Sequence, residues 1–362
     1  MRRIVFFAKN MELGGVEKAL LTLLNRLADE NTSVTLVLEE RRGALLSLLR
    51  PEIRVEEHRV SRCRFAPLRK ALNFSRRMLW AARNHHKYDF SCAYCTYSVI
   101  GSRLAQYASE NSCLYVHSDY AVSLPDEADF RAFFEALHVN AFASLVFVSN
   151  ESRASFAAVY PALKERCRVI NNLVDDAEIR ARAAAPCPVQ ADSAPVFLFL
   201  GRLEEESKRL TRMLEAFEIA HKAKPALRLW ILGGGKDRAL CERLIESYWL
   251  QDAVTMLGAQ PNPYPYLRAA DCLLLTSEYE GFPVVYTEAL ALGKNILTTI
   301  RVSDDAIDIA DYACIAEKNA QAIAEEMLAF EVTPCSPPDY AKINAARLRR
   351  LEDLMTKRQQ KG

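Results

Sequence analysis

Short apolar runs alternate with longer amphipathic stretches along most of the chain, which is the pattern of strands followed by helices. In the first half the strand-like runs are Arg3–Ala8, Ser33–Leu38, Tyr88–Cys95, Ser112–Val116, Ser144–Val148 and Arg168–Ile170. In the second half they are Pro195–Leu200, Leu227–Leu232, Ala253–Leu257, Cys272–Leu275 and Asn295–Thr298. The helix-length stretches between these runs include Val16–Asp29, Val99–Ser109, Thr211–Lys222, Asp237–Trp249 and Pro283–Leu292. Repeated β-then-α units predict parallel sheets with helices on both faces.

An interruption of this pattern predicts two domains. Residues 176–194 are rich in small residues and carry two prolines, so we expect a linker between residues 1–175 and 195–337. A final helix is predicted over residues 338–357, where it can pack back on the first domain. The expected fold class is α/β, with two doubly wound Rossmann-type domains facing a central cleft. Ligands bind such sheets beyond the carboxyl ends of the strands.

Composition narrows the class of protein. The chain has 362 residues, of which half are hydrophobic and 26% are charged, a balance that excludes a disordered chain. Its net charge of +1 gives no reason to expect a nucleic acid partner. No apolar run approaches the ~20 residues of a membrane-spanning helix, and Lys9 and Asn10 interrupt the first run too early for an export signal. Ten scattered cysteines are expected to be reduced thiols of a cytosolic protein.

The strongest chemical signal surrounds the helix that follows the strand-like run Cys272–Leu275. Pro283 suits the first turn of that helix, whose unbonded amides and dipole attract an anion. Glu280 precedes the helix and Glu288 lies within it, so both carboxylates can accept hydrogen bonds from the hydroxyls of one ligand. Phosphates on the amides and hydroxyls on the carboxylates describe a nucleotide sugar. The alternative is an ordinary helix with an acidic N-terminus and a solvated Glu288.

A second signal is a pair of cations after Gly201, at the end of another strand-like run. Arg202 offers a planar fork of donors and Lys208 offers a point charge, a natural pair for a diphosphate. Three glutamates, Glu204–Glu206, stand between them, so surface ion pairs are the alternative explanation.

Glycine is sparse, with twelve residues in the chain, and several glycines stand where a strand ends. Gly14 and Gly15 follow the first predicted strand and open a helix, where backbone can approach a phosphate or a sugar closely. The run Gly233–Gly235, with Gly234 at its centre, also follows a strand and can form the floor of a nucleotide site. Both turns can also be ordinary tight connections, because neither has the spacing of the G-x-G-x-x-G fingerprint.

In their order along the chain, these elements resemble the family 4 glycosyltransferases, retaining enzymes of the two-Rossmann-domain GT-B fold. Glu280 and Glu288 match the E-x7-E element of that family, and Arg202 with Lys208 matches its phosphate clamp. The remaining matches are the glycine loop Gly14-Gly15 and the landmarks Tyr115–Tyr120, Val148-Ser149, Val169–Asn172, Leu257-Gly258, Asn262–Leu267 and Ala270-Asp271. The resemblance covers most of the chain and is densest in its second half.

The resemblance implies roles for the charged residues. Arg202 and Lys208 would neutralise the leaving diphosphate, and Glu288 would hold the ribose of the nucleotide. Two positions depart from the family pattern without removing a side chain to which a role is assigned. Arg209 stands where many members have glycine, and Asn295 stands where many have proline.

The resemblance also implies contacts around the start of the helix. Glu280 would hold the donor sugar together with the backbone amides of Gly281 and Phe282. The amides of Tyr286 and Thr287 would contact the phosphates.

In the first half of the chain, the resemblance places His117 near the sugar on the acceptor side; a structural histidine is the alternative. Gly14, Gly15 and Gly234 would line the nucleotide-sugar site. The chain has no D-x-D motif, and with two cations available for the diphosphate we expect no metal ion and no cofactor.

Residues 41–87 form a basic segment, with thirteen Lys or Arg side chains against three Glu side chains, a net charge of +10. Within it, Leu68–Trp80 mixes basic and bulky apolar residues at roughly helical spacing, which favours a helix lying on an anionic membrane surface. A solvated helix face and a site for an anionic glycan are the alternatives. Nucleic acid binding is disfavoured because few aromatic residues are available for stacking.

These observations predict a retaining, metal-independent hexosyltransferase that uses a nucleoside-diphosphate sugar, expected to be UDP-linked. Its acceptor is expected to be a glycan or a lipid-linked glycan in cell-surface polysaccharide synthesis, by analogy with bacterial members of the family. We expect the protein to be cytoplasmic and peripheral on the inner face of the membrane. The alternatives are a catalytically inactive nucleotide-sugar-binding partner and a nucleotide-sugar epimerase on the same fold.

Overall fold

The computed structural model describes residues 1–61, 63–189, 195–333 and 335–356. Several sequence predictions extend beyond these ranges, at Arg62 of the basic segment, at residues 190–194 of the expected linker, at Pro334, and at Lys357 of the last helix. The chain divides into two compact units, Met1–Leu173 with Lys342–Gly362, and Val174–Ala341.

The first unit is built on a parallel sheet, whose described strands lie in the order β3-β2-β1-β4-β5-β6-β7. These strands are β1 (Arg2–Ala8), β2 (Thr32–Leu38), β3 (Arg54–Glu57), β4 (Phe90–Ala93), β5 (Ser112–Val116), β6 (Ser144–Phe147) and β7 (Cys167–Val169). Its helices are α1 (Gly15–Leu27), α2 (Ala66–Asn84), α3 (Val99–Ala108), α4 (Tyr120–Ser123), α5 (Glu127–Ala136) and α6 (Asn150–Val159). Short 3₁₀ turns occur at Ala44–Leu48, Val139–Ala141 and Pro161–Arg166.

The second unit repeats the same plan, with described strands in the order β10-β9-β8-β11-β12-β13, all parallel. They are β8 (Val196–Leu200), β9 (Arg228–Leu232), β10 (Val254–Gly258), β11 (Cys272–Leu275), β12 (Asn295–Thr298) and β13 (Ala313–Ile315). The helices are α7 (Asp176–Ala183), α8 (Glu205–Lys208), α9 (Leu210–Ala223), α10 (Arg238–Ser247), α11 (Tyr264–Ala269), α12 (Val284–Ala291) and α13 (Ala320–Ala329), with a 3₁₀ turn at Ile309–Asp311. A last helix, α14 (Tyr340–Thr356), follows.

Strands buried on both faces explain why the sequence shows continuous apolar runs rather than alternation. Phe197, Leu198 and Phe199 of β8 are fully buried, as are Ile4 to Phe6 of β1, because helices cover both faces of each sheet. The predicted strands and helices are confirmed, with ends that differ by no more than two residues, except that α2 continues four residues beyond Trp80. The parallel α/β fold class predicted for both halves is therefore confirmed.

Sequence analysis missed two strands, β3 and β13, which both lie at the edge of a sheet. The side chains of β3 read Arg-Val-Glu-Glu and none of them is buried, while β13 has three residues of which two are exposed. Edge strands that bury so little apolar surface produce no apolar run in the sequence.

Part of the segment expected to be a linker is the helix α7, which belongs to the second unit. The carboxylate of Asp175 accepts a hydrogen bond from the Glu178 amide at 2.9 Å and so caps the N-terminus of this helix. Ile179 and Ala183 are its buried residues. An apolar face of two residues is too short to show helical periodicity in the sequence.

Residues 342–356 of α14 belong to the first unit. The Arg347 guanidinium donates to the carbonyl oxygen of Asn172 at 2.7 Å, and the side-chain amide of Asn111 donates to the Leu354 carbonyl at 2.7 Å. Leu351, Leu354 and Met355 are buried. These contacts join the end of the described chain to the segment before β5 and to the segment after β7.

Both sheets reverse their strand order at one point, between β1 and β4 in the first unit and between β8 and β11 in the second. Loops that follow the two strands at such a point diverge to opposite sides and leave room for a ligand. In the second unit these loops contain Arg202, Lys208 and Glu280. In the ranges that the structure covers, no helix has both the length and the apolar character needed to cross a bilayer.

Candidate functional site

In the second unit, the loop after β11 is fastened to the loop after β8. The Thr276 hydroxyl donates to the carbonyl oxygens of Lys208, at 3.0 Å, and Arg209, at 3.3 Å. The Glu278 amide donates to the carbonyl oxygen of Ser207 at 2.8 Å. These three hydrogen bonds fix the backbone that carries Lys208 beside the backbone that leads to Glu280.

The structure brings the side chains of Lys208 and Glu280 together as an ion pair, and each is only 15% exposed. The Ser277 hydroxyl donates to the same carboxylate oxygen, Glu280 Oε1, at 2.8 Å. The carboxylate thus accepts from an ammonium and from a hydroxyl in a site with restricted access to water. An anion that binds the Lys208 ammonium would have to displace this carboxylate.

Glu278 is a second carboxylate in the same loop, and sequence analysis assigned it no role. Arg212 donates to it at 2.6 Å, Arg209 at 3.1 Å and Lys318 at 3.3 Å. Burial raises the pKa of the Glu278 carboxyl, but the hydrogen bonds from Arg212 and Lys318 outweigh burial and lower the pKa to about 2. Glu278 is therefore a charged anchor that holds the loop to α9.

The backbone of Arg209 is left-handed, with φ 51° and ψ 56°. It joins α8 to α9, directly after Lys208. Such a conformation costs a non-glycine residue about 1 kcal/mol or more, which explains why glycine is common at this position in the family that the sequence resembles. The ion pair of the Arg209 guanidinium with Glu278 offsets part of that cost.

The structure does not join Arg202 to the Lys208–Glu280 pair. The Arg202 side chain is 75% exposed, and its described ion pair is with Glu204 at 3.8 Å. Lys236 approaches the same glutamate at 3.6 Å. The surface ion pairs weighed as an alternative therefore exist for Arg202, whereas Lys208 turns to Glu280 instead.

The helix α12 begins at Val284, directly after Pro283. Gly281 and Phe282, which precede it, are buried. The Tyr286 amide donates to the carbonyl oxygen of Pro283 at 3.0 Å, and its phenol pairs with the Thr298 hydroxyl at 2.5 Å. The Tyr286 side chain is fully buried and belongs to the core. The Tyr286 amide, assigned to phosphate by the resemblance, already has an acceptor in the first turn.

Thr287, the next residue, is also occupied by contacts within the unit. Its hydroxyl donates to the Val284 carbonyl at 2.7 Å, and its carbonyl oxygen accepts from the Tyr340 phenol at 3.1 Å. The side chain of Thr287 therefore stabilises the start of α12.

Glu288 is buried within α12, with 5% of its surface exposed. The Tyr264 phenol donates to Glu288 Oε1 at 3.0 Å. Burial and the nearby carboxylate raise the pKa of Tyr264, so the phenol keeps its proton and remains a donor. The Arg182 guanidinium lies over the Tyr264 ring, 5.1 Å from its centroid. The alternative of a solvated Glu288 is thus wrong.

The three glycines after β9 have different structural requirements. Gly233, at φ 154°, has no room for a Cβ because the carbonyl oxygen of Gly201 lies against it, and Gly235 is closed by the carbonyl of Leu203 in the same way. Gly234 is different, since a Cβ there would make only an ordinary contact with Ala259 at 3.6 Å. Close approach of the loops after β8 and β9 therefore accounts for Gly233 and Gly235, whereas packing within the described chain does not require glycine at Gly234.

In the first unit, His117 follows β5 and stacks on aromatic rings. The ring of Tyr115 lies parallel to it at 4.9 Å between centroids, and that of Tyr94 is tilted at 4.6 Å. Burial lowers the pKa of His117 to about 3, against a smaller opposing effect of a hydrogen bond with the Tyr94 backbone, so the imidazole is neutral. Its Nε2 atom is buried and has no partner in the described part of the chain.

The tyrosines that flank His117 are themselves held in place. The Tyr115 phenol donates to the carbonyl oxygen of Ile170 at 2.5 Å, and the Tyr94 phenol donates to the side chain of Asn172 at 3.2 Å. Sequence analysis quoted the Asn171–Asn172 segment as a landmark and gave it no function. The structure shows that it fixes the aromatic support of His117.

Gly14 and Gly15 lie at the start of α1, where Gly14 is the N-cap. A Cβ on Gly14 would meet the carboxylate of Glu17, which accepts a hydrogen bond from the Tyr97 phenol at 2.6 Å. Gly15 is exposed. Among the residues that the structure describes, no group of three or more His, Cys, Asp and Glu side chains is placed to hold a metal ion.

Comparisons with known proteins agree with this architecture. The chain matches the family model described as Glycosyltransferase Family 4 over residues 13–178, and the one described as Glycosyl transferases group 1 over residues 188–347. Over its full length it superposes on the Anabaena protein Alr3699/HepE, solved in complex with UDP and glucose. The TM-score is 0.74 with 16% identity, covering 97% of this chain and 100% of the other, a likeness that shows the fold alone.

Two curated relatives align with part of the chain. A lipopolysaccharide core biosynthesis glycosyltransferase of Rhizobium meliloti is 29% identical over 136 residues, 38% of each chain. A Campylobacter jejuni N-acetylgalactosaminyltransferase that acts on a diphospho-undecaprenol-linked sugar is 29% identical over 137 residues, 37% of this chain and 35% of the relative. The chain spans about two fifths of the length of the curated relatives it matches. The two family models together match most of the chain, which belongs to the family 4 glycosyltransferases of the GT-B fold.

Proposed function

We propose that this protein is a retaining, metal-independent glycosyltransferase of cell-surface polysaccharide synthesis. It would move a hexose-type sugar from a nucleoside-diphosphate sugar to a glycan or a lipid-linked acceptor. The observation that carries the proposal is the arrangement of Lys208, Glu280 and Glu288 in the second unit. Lys208 pairs with Glu280 in the connections that follow β8 and β11, where the strand order reverses, and Glu288 is buried in the helix that follows β11.

The chemistry of these groups suits the parts of a nucleotide sugar. Lys208 neutralises charge that develops on the diphosphate as it leaves, and electrostatic stabilisation of this kind is usually the largest single contribution to catalysis. Glu288 is buried and ionisable, with Tyr264 on one oxygen, and it accepts hydrogen bonds from the ribose hydroxyls. Glu280 accepts hydrogen bonds from sugar hydroxyls once Lys208 turns to the phosphate. Arg202, exposed at the edge of the site, adds a second cation for the diphosphate.

The proposal of a UDP-linked donor rests on the similarity of this fold to that of the Anabaena protein. No contact within the described chain identifies the nucleotide. The Anabaena protein was solved with UDP and glucose, and its fold matches this one over nearly the whole chain. We extend the nucleotide and the hexose from that protein to this one. A mechanism without a metal ion is supported by Lys208 in the site and Arg202 at the surface, which can supply the positive charge that a divalent ion supplies elsewhere.

His117 supports the retaining mechanism proposed for this chain. The neutral imidazole donates its one N–H to the Tyr94 backbone, so its unpartnered Nε2 can accept one hydrogen bond from a sugar hydroxyl without adding charge. In a retaining transfer without a covalent intermediate, the departing phosphate accepts the proton of the incoming hydroxyl on the same face of the sugar. The positive charge that develops on the sugar ring then favours a neutral neighbour over an imidazolium.

We propose that α2 places the protein on the inner face of the membrane. Leu68, Leu72 and Leu79 lie on one face of α2 and are 47%, 37% and 59% exposed. The buried residues of the helix, Ala81 and Asn84, lie on the other face. An exposed apolar stripe of this kind buries its surface when the helix lies in a lipid interface.

The charge on α2 complements an anionic membrane. Arg69, Arg76 and Arg83 follow one another at intervals of seven residues, so they form a stripe beside the leucines, and all three are exposed. Each cation near an anionic surface adds up to about 1 kcal/mol to the attraction. A membrane position gives access to acceptors carried on lipid, such as that named for the Campylobacter jejuni relative.

Flotation with vesicles tests the membrane proposal. The protein should float with vesicles of phosphatidylcholine and phosphatidylglycerol, and less with phosphatidylcholine alone. Leu79→Gln should reduce flotation, whereas Trp249→Gln, which removes a residue of the second unit that is 86% exposed, should not. Equal flotation of the wild type and both variants, or no flotation of the wild type, would exclude this surface.

The transfer reaction itself is tested with a panel of nucleotide sugars and lipid-linked or soluble glycan acceptors. The wild type should release UDP in an acceptor-dependent reaction, and NMR of the product should show the anomeric configuration of the donor. Lys208→Ala should lose the activity, while Lys236→Ala, whose ammonium lies near Glu204, should keep it. Tight donor binding without turnover would point instead to an inactive nucleotide-sugar-binding partner.

A further inference from the structure

Two arginines meet where α2 packs against α3 in the first unit. Arg77 is on the face of α2 that is turned toward the protein, and Arg103 is on α3. Both side chains are partly buried, and in both the Nε atom is fully buried without a hydrogen-bond partner in the described chain. Two guanidinium groups thus lie in the seam between the helices, each with a buried Nε–H donor that no group of the described chain accepts.

The two arginines of this seam also lack partners of opposite charge. Across the described ranges, neither Arg77 nor Arg103 takes part in an ion pair, and the one ring contact of Arg77 is with Phe74, whose centroid lies 5.4 Å from the guanidinium carbon. The exposed His138 lies beside α3, where the Gln106 side chain donates to its carbonyl oxygen at 3.2 Å, and burial and the charges of Arg103 and Arg77 lower its pKa. Burial and the charge of Arg77 also lower the pKa of Arg103.

Such an arrangement is unfavourable by itself. A partly buried cation without a partner loses hydration and gains nothing in exchange, and a second cation beside it adds repulsion. Folded proteins pair buried charges, so the seam lacks an anion that its side chains are able to bind. Each guanidinium offers a fork of donors that matches the oxygens of a phosphate, and two cations match the charge of a phosphate better than that of one carboxylate.

We propose that the seam between α2 and α3, with Arg77 and Arg103 as its ligands and His138 at its rim, binds a phosphate group. The group is carried by a phospholipid headgroup or by a soluble phosphate. This site is separate from the residues assigned to the donor, so it goes beyond the proposed transferase function. Arg69, Arg76 and Arg83 are exposed on another face of α2 and are not part of it.

The site is tested on the full chain by thermal unfolding and calorimetry, with and without inorganic phosphate at constant ionic strength. Phosphate should raise the Tm of the wild type. Arg77→Gln and Arg103→Gln should lose this increase and bind phosphate at least about tenfold more weakly. In buffer without phosphate they should match or exceed the wild-type Tm, because the repulsion is gone.

Arg76→Gln is the matched control, because it removes one charge from the same helix at an exposed position and leaves Arg77 and Arg103 unchanged. It should show the increase of the wild type. Arg103→Lys, which keeps the charge and loses the fork, should bind with intermediate strength. The same phosphate-dependent increase in the wild type, Arg76→Gln, Arg77→Gln and Arg103→Gln would overturn the proposal.

Flotation separates the two sources of the phosphate. If the group belongs to a lipid, Arg77→Gln should float less than Arg243→Gln, which removes one exposed charge from the second unit, with vesicles of phosphatidylcholine and phosphatidylglycerol. If the two variants float equally while Arg77→Gln has lost the response to inorganic phosphate, the ligand is a soluble phosphate. Both results support the site, and neither depends on transferase activity.

Discussion

His117→Gln should remove much of the pH dependence of the stability of the first unit on the acidic side of neutrality. In the folded protein burial lowers the pKa of His117 to about 3, so the imidazole stays neutral as the pH falls. In the unfolded chain the same imidazole takes up a proton near its ordinary pKa of about 6.5. Between these two values the unfolded state binds more protons, so acidification destabilises the folded state.

The magnitude follows from that difference. From about pH 7 to about pH 5, protonation of the unfolded chain at His117 alone lowers the free energy of unfolding by about 2 kcal/mol. A glutamine of similar size cannot be protonated, so His117→Gln should show a loss smaller by that amount. The carboxylates titrate alike in both proteins and cancel in the comparison.

Urea unfolding at several pH values measures this difference. Trp230 and Trp249 belong to the second unit and are replaced by Phe in every protein compared, so the fluorescence of Trp80, which packs against the core of the first unit, reports on that unit. The control is His85→Gln, which changes an exposed histidine just after α2 and should keep the pH dependence of the wild type. Parallel pH profiles for the wild type and His117→Gln would refute the reasoning, because they would show that His117 is protonated as easily in the folded protein as in the unfolded one.

Three further substitutions test the second unit by its free energy of unfolding in urea. Tyr264→Phe removes the donor to the buried carboxylate of Glu288 and should cost about 1.5–3 kcal/mol; an unchanged stability would show that another donor replaces it. Gly233→Ala should cost at least about 2 kcal/mol because its Cβ meets the Gly201 carbonyl, whereas Gly234→Ala should change stability by less than about 0.5 kcal/mol. Similar losses at Gly233 and Gly234 would contradict the packing of these loops.

The fold was largely predictable because most strands of a parallel sheet are buried on both faces and therefore appear as continuous apolar runs. The edge strand Arg54–Glu57 has the opposite property, since none of its side chains is buried. The helix Asp176–Ala183 buries only Ile179 and Ala183, so the segment has the composition of a linker. The pattern of apolar residues predicts elements that bury apolar side chains, and it does not reveal elements that bury few of them.

The candidate site was predictable in its residue types and less so in its pairings. The spacing from Glu280 to Glu288 placed two carboxylates around the start of a helix, and both are largely buried. The ion pair of Lys208 with Glu280 joins residues 72 positions apart, and only the folded loops determine it. Arg202 was grouped with Lys208 by proximity in the sequence, yet its side chain points to Glu204.

At Arg209 the structure explains a residue that departs from the glycine common in the family. From the sequence, an arginine in place of glycine had no physical explanation. The structure shows a strained φ of 51° held by an ion pair between Arg209 and Glu278. Backbone conformation and the charged partner together determine which residues this position accepts.

Calorimetric titration with UDP tests most directly the central claim that the second unit holds a nucleoside diphosphate between Lys208 and Glu288. The wild type should bind UDP, and Lys208→Ala and Glu288→Gln should each bind it at least about tenfold more weakly, as expected for the loss of a charged hydrogen bond. Lys236→Ala should bind as the wild type does. Equal UDP affinities in all four folded proteins, or no UDP binding by the wild type, would contradict the account.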